Sequence, residues 1–77
     1  MNAQPILEAL NNGVVHIWFT SLVSGDELEG HYTLKDRNVG RIDPTSNKIL
    51  AFDVSKNRWE DIEVSTINQW LSIPNNP

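Results

Sequence analysis

Apolar and polar positions follow two different periods along this chain. From Gln4 to Asn12, Ile6, Leu7, Ala9 and Leu10 recur at helical spacing. Pro5 suits the first turn of a helix, where its missing N–H has no partner to lose. Asn11, Asn12 and Gly13 then predict a left-handed stop. A helix this short is unstable alone in water, so its apolar stripe must dock on the sheet built from the rest of the chain. From Val14 the period becomes two. Val14–Thr20 is β-branched or aromatic almost throughout, with Val15, Ile17 and Phe19 on a wholly apolar face and Val14, His16, Trp18 and Thr20 on a mixed one.

Ser24, Gly25 and Asp26 mark a turn. A second strand is expected over Leu28–Lys35, with Leu28, Gly30, Tyr32 and Leu34 sharing one face. If Phe19 stands opposite Leu28, a hairpin puts His16 opposite His31 and Trp18 opposite Glu29. The segment from Asp36 to Asn47 is rich in turn formers and has no clear period. A third strand is expected over Ile49–Val54, with Leu50, Phe52 and Val54 on one face and Phe52 in the core lining. Ser55–Arg58 reads as a hairpin loop and Trp59–Val64 as a fourth strand, with Ile62 and Val64 inward and Asp61 and Glu63 outward. Ser65–Leu71 closes the pattern as a tight turn into a last strand or helical turn, anchored by Ile67, Trp70 and Leu71. Residues 72–77 read as a tail. The expected fold is mostly β, a small α+β domain. A short N-terminal helix at about 4–12 precedes a four- or five-stranded antiparallel SH3/Sm-like barrel at about 13–71. Trp59 and Trp70 are expected to seal its ends.

These residues carry a family resemblance. Gly13 to Thr20, then His31-Tyr32-Thr33-Leu34, then Phe52 to Trp59, then Ile62 to Ile67, resemble the WYL-like Sm/SH3-type β-barrel family of small tailed-bacteriophage proteins. The resemblance covers residues 10–71, and its most specific piece is the hairpin of the third and fourth strands. It implies the barrel and a phage origin; with no cysteine in the chain, the host cell cytoplasm is then the expected place of action. It supplies no catalytic motif.

Composition narrows the function. The 77 residues contain no cysteine, so neither a disulfide nor a thiolate metal site can support so small a core. Self-association is the expected support, as a homo-oligomer built by strand addition. Ten acidic side chains against six basic ones disfavour a general nucleic-acid binder, whose affinity rests on phosphate neutralisation. Glu29 and Glu63 stand where more basic residues are expected of the family. No apolar run approaches the roughly 18 residues that cross a bilayer, and no secretory signal is visible.

Four residues form the candidate partner-binding set: Trp18, His16, His31 and Glu29. An outward Trp contributes a large apolar area to an interface at low entropic cost, unless the N-terminal helix covers it. The two histidines could pair across the hairpin, but no third ligand has a specified place, so no metal is expected. Lys35, Arg37, Arg41 and Lys48 form a locally basic window that could hold a phosphate, since guanidinium forks match phosphate oxygens. A solvated loop whose charges keep the chain soluble accounts for them more simply. No nucleophile with an adjacent base stands out, so an enzyme is not expected, nor a cofactor. The favoured reading is an accessory protein that binds and modulates a host or phage protein. The alternatives are an oligomeric nucleotide sponge that sequesters a host defence signal and an Sm-like nucleic-acid binder.

Overall fold

The computed structural model describes residues 3–35 and 47–73. Helix α1 (Gln4–Asn12) is followed by strands β1 (Val14–Thr20), β2 (Glu27–Thr33), β3 (Lys48–Asp53) and β4 (Arg58–Glu63). A 3₁₀ turn (Val64–Thr66) leads into β5 (Ile67–Ile73). The strands form one sheet in the order β4-β3-β2-β1-β5, with every pairing antiparallel. The described residues are thus mostly β, with one short helix and a five-stranded antiparallel sheet.

Helix α1 forms because its stripe finds a dock. Ile6, Leu7 and Leu10 are buried with Val15, Ile17, Tyr32, Leu34, Ile49, Ala51, Ile62, Val64 and Ile67 in one core cluster. Burying each large side chain contributes about 1.5–3 kcal/mol, which a free helix of this length lacks. Gly13 ends the helix with an extended backbone (φ 170°), not the left-handed one its neighbours predicted, and its N–H donates to the Ala9 carbonyl at 3.1 Å. The last helical carbonyl groups are tied to the end of β2. The Leu34 N–H reaches the Leu10 oxygen at 2.9 Å, and the Thr33 hydroxyl donates to the Gly13 oxygen at 2.7 Å.

The β1–β2 register is the one expected, with Phe19 opposite Leu28, Trp18 opposite Glu29 and His16 opposite His31. Val15 and Ile17 are fully buried, and Phe19 packs against the core at its margin. Strand β2 ends at Thr33, two residues short of the expected Lys35.

Strand β3 corrects the sequence reading. Its buried side chains are Ile49, Ala51 and Asp53, whereas Leu50 and Val54 are exposed and Phe52 is half-buried. The reason lies at the hairpin. Asp53 turns inward and its carboxylate accepts the N–H groups of Ser55 (2.9 Å) and Lys56 (3.0 Å). Its carbonyl accepts from Asn57 at 2.8 Å, and Asn57 takes the positive φ of 57° that closes the turn. Period two then carries the opposite phase along the whole strand. Two further expectations fail alongside it. Trp59, cross-strand from Phe52, is 41% exposed and seals nothing, and Leu71 is 57% exposed and anchors nothing. Trp70 does pack against the core, as expected. Residues 72 and 73, expected in the tail, complete β5.

Candidate functional site

Antiparallel register fixes which side chains share a face of the sheet. On the face away from the core, three rows cross the strands. Ile73, Val14, Thr33, Phe52 and Trp59 form the first, spanning all five strands. Leu71, His16 and His31 form the second, extended to Val54 by its N–H bond to the His31 carbonyl at 2.9 Å. Gln69, Trp18 and Glu29 form the third.

All four residues of the expected partner-binding set therefore meet. The His16 ring stacks on the Trp18 indole with centroids 3.8 Å apart and planes 15° apart. The His31 ring, cross-strand from His16, lies tilted at 41° with its centroid 4.4 Å away. His16 Nε2 is 3.2 Å from Glu29 Oε1. A carboxylate only accepts, so the contact is a hydrogen bond in the tautomer that carries its proton on this nitrogen. His16 is largely enclosed by these neighbours, whereas Glu29 is well exposed. Trp18 belongs to the outer face and not to the core that α1 covers.

The cluster is continued by apolar surface that the inverted phase of β3 turns outward. Phe52 and Trp59 meet edge to face at 5.4 Å. Leu50, Val54, Trp59 and Leu71 are all exposed. The outer face thus combines aromatic rings, aliphatic side chains and a fixed imidazole–carboxylate pair. Such a surface suits shape-matched contact with another macromolecule, since rings anchor it and the polar pair orients it. Among the described residues no group of three His, Asp or Glu side chains is placed to hold a metal ion.

The expected phosphate window fares differently. Arg37 and Arg41 lie outside the described residues. Lys35 is exposed just after β2. Lys48 lines an open cleft of about 250 Å³ together with Asp61 and Glu63, with Glu63 directly cross-strand. Two carboxylates beside one ammonium disfavour an anion there.

One titratable group in the core is perturbed. Tyr32 is buried, and its hydroxyl donates to Glu60 Oε2 at 3.3 Å. Burial, then the charges of Glu60 and Asp53 and the bond to Glu60, push its phenol well above the ordinary value of 10.0. The group serves packing, since its ring lies over Gly30 and edge-on to Phe19.

Sequence reasoning missed Leu50, Phe52, Val54, Trp59 and Leu71 as members of the outer face. The signal was Asp53, whose place two residues before a Ser-Lys-Asn turn marks a carboxylate that caps the turn. Among the described residues no helix is long and apolar enough to cross a membrane. Comparison with family models, with curated proteins and with solved structures finds no match to this chain.

Proposed function

We propose that this chain is a small, non-catalytic binding protein whose outer sheet face engages a protein partner. The family resemblance makes that partner a host or phage protein, met in the host cell cytoplasm and modulated by the contact. One observation carries the reading. Trp18, His16, His31 and Glu29 converge on one face and run on into exposed Leu71, Val54 and Trp59. A partner's apolar surface would cover the rings, and its polar rim would meet Glu29. The sheet is bent and barrel-like in this reading, as the resemblance implies, with α1 packed on one side and the binding rows on the other.

The test compares wild type with Trp18→Ala as bait in host lysate, with affinity measurement on any captured protein. A central aromatic anchor is worth about 2 kcal/mol or more, so the variant should bind roughly 30-fold more weakly while melting as a folded protein. If bait and control lanes match, and a nucleotide raises the melting temperature in wild type but not in Arg41→Ala, the sequestration reading replaces this one.

A further inference from the structure

The two edges of the sheet differ in a way that bears on assembly. Exposed edge strands carry unpaired N–H and C=O groups and are ordinarily protected by charge, proline or a bulge. β4 is protected, since Arg58, Glu60, Asp61 and Glu63 lie along it. Among the described residues, β5 (Ile67–Ile73) is not. Its sequence INQWLSI holds neither a charged residue nor a proline. The irregularity in its pairing with β1 falls at the Ile67 end, so Gln69–Ile73 is a regular ladder. In the middle of that stretch Leu71 stands 57% exposed.

We propose that β5 is a self-association edge, pairing antiparallel with β5 of a second copy of this chain about a two-fold axis at Leu71. In this register Leu71 faces Leu71 of the copy, Gln69 faces its Ile73 and Trp70 faces its Ser72. Period two keeps outer-face residues with outer-face residues and Trp70 on the core side. No like charges meet, because β5 has none. Pairing β4 with β4 would instead oppose a strand carrying three carboxylates to itself. Pairing β4 with β5 would leave an uncharged edge open on the last subunit unless a ring closed. The two-fold arrangement hides both uncharged edges at once. It leaves only the charged β4 strands at the ends of a ten-stranded sheet, so growth stops at two.

The consequence reaches the outer face. The row Val54–His31–His16–Leu71 meets its own copy and becomes continuous across the dimer. The two His16 side chains then stand three strand spacings apart, about 14 Å. This assembly does not depend on the identity of any other partner.

Sedimentation equilibrium of the full chain tests it. Wild type should sediment as a dimer that dissociates on dilution. Leu71→Lys and Leu71→Glu should each sediment as folded monomers, because like charges would face each other across the axis. An equimolar mixture of the two should recover the dimer. Hydrogen exchange on wild type gives a second readout that requires no variant, since β5 amides should exchange more slowly as concentration rises. A monomeric wild type, a ring larger than two, a dimeric Leu71→Lys, a mixture that stays monomeric, or β5 exchange independent of concentration would each overturn the proposal.

Discussion

Gly30 sits on the core face of β2, directly across from Ile17, where the Tyr32 ring folds over it. A Cβ added there would stand 2.8 Å from Tyr32 Oη, 2.9 Å from Cε2 and 3.0 Å from Cζ. Ordinary contact begins near 3.4 Å, so the ring must move by several tenths of an ångström. It has little room to do so. Tyr32 is fully buried, its hydroxyl is held by Glu60 at 3.3 Å, and its ring meets Phe19 edge-on at 6.4 Å. Overpacking of this kind costs about 1–3 kcal/mol. Replacing glycine with alanine in a strand returns about 0.5–1 kcal/mol through the stiffer unfolded chain. With so little room for the ring the cost lies in the upper part of its range, about 2–3 kcal/mol, so Gly30→Ala should be about 1–2.5 kcal/mol less stable. For a domain of this size each kcal/mol lowers the melting temperature by roughly 4–8 °C. Thermal melts monitored by circular dichroism, at matched protein concentration, measure this directly. A variant that melts at or above wild type would show that Tyr32 does not lie over Gly30, and the packing of this part of the core would have to be redrawn.

Three further outcomes are expected. Asp53→Ala removes the buried carboxylate that accepts from the Ser55 and Lys56 amides of an exposed turn, and urea unfolding should show a loss of about 1–3 kcal/mol, with Asp53→Asn losing less because it keeps an oxygen acceptor. Tyr32 is the only tyrosine in the chain, so tyrosinate absorbance reports on it alone. Its folded pKa stands above the unfolded value of 10.0, so the folded state holds its proton longer; stability should be full below about pH 10 and fall as pH rises beyond it, and tyrosinate should appear together with unfolding. Glu29→Gln leaves the well-exposed side of the His16 contact uncharged and should change stability by no more than about 1 kcal/mol, which a melt at neutral pH checks.

Most of the fold was legible because most of it is written locally. The span of α1 comes from the spacing of Ile6, Leu7 and Leu10 together with Pro5. The β1–β2 register comes from matching one wholly apolar face to its partner strand, and this also brought Trp18, His16, His31 and Glu29 together. Sequence reading could not supply how closely the rings approach. His16 and Trp18 are two residues apart on one strand, and alternation says only that they share a face. That they stack at 3.8 Å depends on rotamers chosen by His31 and Glu29 from the next strand.

The misreading of β3 and the extent of the outer face have one cause. Leu50, Phe52 and Val54 are larger and more apolar than Ala51 and Asp53, so hydrophobicity alone turns the strand the wrong way. Two short-range demands outweigh it. Ala51 sits at 0% exposure in the core, a position filled here by a small residue. Asp53 must reach the amides of its own turn, and a buried carboxylate is tolerable only because those amides satisfy it. Once Asp53 faces inward, strand geometry sends Phe52 and Val54 outward, into the same rows as Thr33 and His31. The apolar residues that hydrophobicity assigned to the core are thus the ones that widen the exposed aromatic surface. A turn cap at one end of β3 decides what the opposite face of the sheet offers to a partner.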